Sequence, residues 1–75
     1  MQISLNHLRP GMAARVVVVL DCEGVSDRLQ AFGIQPGTRV HCCERSKNGQ
    51  VTALQINDMC IRLRTRDLEK IRVEI

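Results

Sequence analysis

Seventy-five residues suffice for one domain, at a size where a single small core leaves little margin of stability. With 11 Lys and Arg against 8 Asp and Glu the net charge is +3, a mild excess that favours acidic partners without requiring nucleic acid. No Trp, no Tyr and a single Phe leave the core to Val, Ile, Leu and Met, and no run approaches the roughly 18 apolar residues of a membrane span.

The opening MQISLNHLRPG has neither a charged n-region nor a long apolar h-region, so the chain reads as cytosolic and complete, one domain over residues 1–75. Ser4 is expected to cap a helical turn that faces Leu5 and Leu8 inward, and Pro10-Gly11 then turns the backbone. Ala13 to Leu20 carries Val16, Val17, Val18, Val19 and Leu20, too short for a helix and too β-branched to prefer one. It is expected to be the central strand, apolar on both faces. Asp21 to Gly24 links it to a helix, with Gly24 or Ser26 as N-cap.

The stretch from Gly24 to Val40 holds the only convincing helix and the sharpest corner. Val25, Leu29 and Phe32 fall at i, i+4 and i+7, on one face of about two turns. If Gly33 is the left-handed residue that ends the helix, Leu29 and Ile34 become the two apolar positions that meet in a Schellman ending. Pro36-Gly37 follows as a type II turn. A helix this short is marginal alone, so it must lie on the rest of the fold.

From Thr38 the pattern has period two, with Val40 and Cys42 on one face and Arg39, His41 and Cys43 on the other. Asn48-Gly49 predicts a type I′ hairpin, with positive φ at both residues. Gln50 to Ile56 returns with Leu54 and Ile56 inward, and Asn57-Asp58 makes a second tight turn. Met59, Ile61 and Leu63 alternate with Cys60, Arg62 and Arg64, which gives one buried and one basic face. Thr65 is expected to cap a last helical turn before the closing strand of Ile71, Val73 and Ile75. Five short strands in so small a chain avoid exposed edges best by curling up. The expected fold is mainly β: a small SH3-like five-stranded barrel with a short helix inserted after the first strand. An OB-fold is the alternative, but its helix lies between the third and fourth strands, where only Asn57-Asp58 stands here.

Catalysis has little to stand on. His7 and His41 have no carboxylate or hydroxyl partner at a recognisable spacing, and Glu23-Gly24-Val25 has one glycine where a phosphate loop needs several. The reading is no enzyme and no cofactor. The four cysteines read as reduced thiols, because no leader and no CxxC is present, and Cys42 reads as a small core residue. His41, Cys43 and Cys60 share an outward face and suit Zn²⁺ or Fe²⁺ by type. Pairing in chain order sets Cys60 two strands away from the other two, about 9 to 10 Å, so no metal ligand is assigned. Arg62, Arg64, Arg66, Lys70 and Arg72 form the strongest basic cluster. With Phe32 as the one aromatic side chain to stack bases, a single-stranded nucleic acid is not the expected partner. What remains is a phosphate-backbone binder or a protein-docking module, with Arg28 and the charged C-terminal face as its contact positions.

Taken in order, these residues resemble the FeoA family of small cytosolic proteins associated with bacterial ferrous iron uptake. The likeness starts at Leu8-Arg9-Pro10-Gly11 and the valine strand. It is best at Arg28-Leu29 and Gly33-Ile34-Gln35-Pro36-Gly37-Thr38, similar to the family's R-L-x-x-M/F-G-[LIM]-x-P-G. Leu63-Arg64, Asp67 and Ile71 fit its closing pattern L-R-x-x-[DE]-A-x-x-I, with Leu68 in place of the usual alanine. Ser46 to Gln50 departs from the family's A-P-x-G-D-P-like loop, so contacts of that loop do not carry over. The resemblance implies an SH3-like barrel and an accessory role beside FeoB, a membrane transporter with a cytosolic G-protein domain. It further implies a docking surface drawn from Arg28, Leu29, Phe32, Gly33, Pro36 and Gly37. On this reading the protein is cytoplasmic, reaches the inner face of the membrane only through the transporter, and is a monomer or weak dimer. The alternatives are a small transition-metal-binding protein and a basic nucleic-acid-associated barrel.

Overall fold

The structure, a computed structural model, describes residues 1–20 and 25–75, and the side chains from Asp27 onward in the helix. Among these residues the strands are β1 (Gln2–Ser4), β2 (Ala13–Val19), β3 (Arg39–Arg45), β4 (Val51–Ile56), β5 (Met59–Arg64) and β6 (Ile71–Glu74), with one helix, α1 (Val25–Ala31). Two 3-10 turns, Leu5–His7 and Thr65–Lys70, complete it. All pairings are antiparallel, in the order β1-β6-β2-β3-β4-β5. The five anticipated strands are β2 to β6. The sixth, β1, is three residues whose pairing with β6 no local pattern announces. Among the described residues no helix is long and apolar enough to cross a membrane.

One aliphatic cluster fills the interior. Leu5, Leu8, Val16, Leu29, Ile34, Val40, Cys42, Leu54, Ile56, Leu68, Ile71 and Val73 all belong to it, so every element except β1 and β5 sends a fully enclosed side chain inward. Cys42 is free and buried. Two register shifts set which residues reach it. Val16 pairs with Val73 and Val18 with Arg72, leaving Val17 as the extra residue of a β-bulge. The alternation changes phase there. Val16 is buried, Val17 and Val18 are both 38% exposed, and Val19 packs on the core again. The valine run therefore has one buried face with a break in it, rather than two. In β3 the shift falls at Cys43, which turns Arg45 inward opposite Thr52.

The corner after the helix follows its chemistry closely. Ile34 N–H donates to Leu29 C=O (3.0 Å) and Gly33 N–H to Gln30 C=O (2.8 Å), the two bonds of a Schellman ending, with Gly33 at φ +89°. Thr38 N–H closes the Pro36-Gly37 turn onto Gln35 C=O (3.0 Å), with Gly37 at φ +92°. The turn is then sewn to β2, because Gly37 N–H donates to Val16 C=O and Val16 N–H to Thr38 C=O, each at 2.8 Å.

Four local expectations need correction. Ser26 lies inside α1, so it is not the cap, and Gly24 and Cys22 fall outside the described residues. Phe32 follows the helix instead of extending its buried face, and is 40% exposed. Only Gly49 of the Asn48-Gly49 pair has positive φ. Its N–H closes a turn on Ser46 C=O (2.8 Å), so the loop is Ser46 to Gln50, longer than a two-residue hairpin. Neither Ser4 nor Thr65 caps its 3-10 turn with a side chain; the Thr65 hydroxyl is taken by Thr52 at 2.8 Å.

Candidate docking groove between the helix and the fifth strand

Of the residues singled out in the sequence, Arg28, Leu29 and Phe32 come together. They line one wall of a groove of about 290 Å³ whose other wall is Arg62, Leu63 and Arg64 of β5, with Asp67 from the second 3-10 turn. The helix is held there by Leu29, 2% exposed, and by the Schellman ending that fixes where the chain leaves it. Phe32 stands just past the last helical residue, where the break at Gly33 lifts it off the core. The groove is apolar at its centre and basic at its rim. Gly33, Pro36 and Gly37 do not line it: they form the corner behind it, pinned to β2.

Charge at the rim is only lightly compensated. Arg62 Nη2 lies 3.3 Å from Glu44 Oε1, a pair with both side chains more than two-thirds exposed, which is worth little in water and exchanges easily. Among the described residues neither Arg28 nor Arg64 has a carboxylate within ion-pairing distance. Arg62, Leu63 and Arg64 were visible in the sequence as a basic strand. Their meeting with α1 is long-range and left no local signal.

A larger concavity, about 640 Å³, lies on the other side of Arg64, lined by Asn6, Gly49, Gln50, Val51, Thr65, Arg66 and Glu69. Most of its lining residues are polar or charged, and its exposed apolar side chain is the aliphatic Val51 rather than an aromatic ring. The outward thiols sit on a third surface. Cys43 Sγ is 3.8 Å from His41 Nδ1, and although β5 lies two places from β3, the Cys60 thiol comes across β4 to the Cys43 thiol, closer than the strand spacing alone predicts. Reduced solvent access first, then the neighbouring Cys60 thiol and Glu44, hold the Cys43 thiol above its ordinary range. Among the described residues no three His, Cys, Asp or Glu side chains converge as a metal site would require.

The FeoA domain model matches residues 3–75. The chain belongs to the FeoA family. That family is associated with ferrous iron transport. Among solved structures, the iron uptake regulatory protein FeoA superposes with a TM-score of 0.88 at 19% identity, covering 99% of this chain and 97% of that one. FeoA from Chlorobium tepidum gives 0.89 at 26%, over 97% and 70% of the two chains. FeoA from Stenotrophomonas maltophilia, a zinc complex described as a prokaryotic SH3 domain protein, gives 0.85 at 21%, over 96% and 89%. Among curated proteins nothing matches. The FeoA fold is thus SH3-like and mainly β, as the strand pattern implied.

Proposed function

We propose that this FeoA chain is an accessory and regulatory docking protein of bacterial ferrous iron uptake, acting on the cytosolic G-protein domain of a FeoB-type transporter. The observation that carries this is the α1–β5 groove: a half-exposed Phe32 beside Leu29 and Leu63, rimmed by Arg28, Arg62 and Arg64. An exposed aromatic next to arginines that are at most weakly paired among the described residues is the composition of a protein contact centre. Among the described residues the groove offers no nucleophile and no acid–base pair, which supports binding rather than turnover. The Stenotrophomonas relative, described as a candidate ferrous iron transport activating factor, points the same way. The protein sits in the cytoplasm and reaches the membrane through its partner.

The test is a heteronuclear NMR titration of the labelled chain with the transporter's isolated G-protein domain. Shifts centred on Arg28, Phe32 and Arg62 to Arg64, weakened by Arg28→Glu, are expected. Their absence at saturating domain concentration refutes the proposal. A metal-binding reading stands second, favoured by the 3.8 Å approach of Cys43 to His41. Anaerobic Fe²⁺ or Zn²⁺ that saturates shifts at His41, Cys43 and Cys60 while the G-protein domain moves nothing would put it first.

A further inference from the structure

β5 ends the sheet. Among the described residues only β4 pairs with it, so one side of its backbone is open. Which groups face out follows from the register. A two-residue turn joins Ile56 to Met59, and Thr65 N–H donates to Gln50 C=O at the far end (2.8 Å). Antiparallel alternation then directs the backbone groups of Met59, Ile61 and Leu63 to β4, and those of Cys60, Arg62 and Arg64 away from it. Three N–H and three C=O groups form a row about 14 Å long.

Edges of this kind are usually blunted by proline, a bulge or brevity. β5 has none of these: its six residues pair without a register shift and include no proline, whereas the opposite edge, β1, is only three residues long. What guards it is charge. Two copies meeting edge to edge, antiparallel about Arg62, would set Arg62 against its own image and crowd Arg64 beside it, and like charges in facing positions oppose pairing. The same charges attract an acidic strand.

We propose that β5 accepts an extended segment of a partner protein as an added strand, with acidic residues alternating with apolar ones. On one face the acidic side chains meet Arg62 and Arg64, displacing the weak Glu44 contact. On the other the apolar side chains enter the groove at Leu29, Phe32 and Leu63. Main-chain bonds supply affinity and the alternation supplies specificity, as in other strand-addition complexes. This rests on the docking reading and specifies its chemistry.

The experiment follows amide hydrogen exchange of the full chain with the transporter G-protein domain, and separately with a synthetic octapeptide of alternating Glu and Val. Strand addition slows exchange at Cys60, Arg62 and Arg64, and leaves Ile61 and Leu63, already bonded to β4, little changed. Arg62→Pro removes one outward N–H and no β4 bond. It should bind about three- to tenfold more weakly than Arg62→Ala, which keeps that N–H. Thermal melts establish that both variants fold, and the exchange pattern of the unaltered protein stands without them. Domain binding with shifts at Arg28 and Phe32 but no slowing at Cys60, Arg62 and Arg64 overturns strand addition and leaves docking standing. No domain binding, but slowing by the peptide, upholds the acidic-strand edge and overturns the choice of partner. No slowing in either arm overturns the inference.

Discussion

Thr52 and Thr65 share a hydrogen bond of 2.8 Å between their hydroxyls, and Arg45 Nε donates to the same Thr52 oxygen at 3.0 Å. Arg45 Nη2 reaches on to Leu8 C=O (2.9 Å). Thr52 is fully buried, so this small network ties together β3, β4, the second 3-10 turn and Leu8, the residue that closes the first. Thr52→Val keeps the shape and strands Arg45 and Thr65, each having lost a partner. A loss of about 1–3 kcal/mol is expected, read as a drop in Tm of about 4–8 °C per kcal/mol. Thr52→Ser should recover most of it; a larger loss for Ser than for Val would show that the methyl, not the hydroxyl, matters.

The corner glycines give a second measurement. A Cβ on Gly37 meets nothing within 4 Å, and one on Gly33 meets Ile56 Cγ2 at an ordinary 3.7 Å. Both cost backbone strain alone, so Gly33→Ala and Gly37→Ala should each lose about 1–2 kcal/mol in denaturant unfolding. A much greater loss at Gly33 would mean the contact with Ile56 is tighter than it looks.

Folding and docking should separate on neighbouring residues. Leu29→Ala opens the core and should cost about 2–5 kcal/mol of stability. Phe32→Ala, at a position already 40% exposed, should barely move Tm yet weaken binding of the G-protein domain, and Arg28→Glu should do the same. If Phe32→Ala destabilises as much as Leu29→Ala, the ring is structural and the groove loses its anchor.

Cys42 adds a pH dependence. Burial raises its thiol above the ordinary value of 9.0, with Arg45 pulling the other way. The folded state thus holds the proton more tightly than the unfolded chain. Its contribution is fully present below about pH 9 and is lost as pH climbs from there through the folded pKa. Melts between pH 7.5 and 10.5 should show Tm falling at the alkaline end, with a shallower fall in Cys42→Ala. Parallel slopes would assign the effect to other groups.

What the sequence revealed was local chemistry. Gly33, Ile34, Pro36 and Gly37 could be read because a left-handed stop and a type II turn are each set within four residues. Val17, Val18 and Cys43 could not, since a bulge arises from a partner strand, and no period-two count detects where it falls. Phe32 fits the helical period on paper; Gly33 ends the helix before it can complete that face. Arg28 and Arg64 were both visible as basic positions, but only the tertiary fold makes them two sides of one groove.

β6 lies between β1 and β2, although it follows the other five strands in the sequence. Until Ile71 to Glu74 have been synthesised, Gln2 to Ser4 have no neighbour and β2 has only half of its bonds. A nascent chain can build the β2 to β5 meander early, but the interior stays open along one seam. Any truncation that removes β6 therefore frees β1 as well, and leaves the cell a sheet with valine strand β2 as a raw edge.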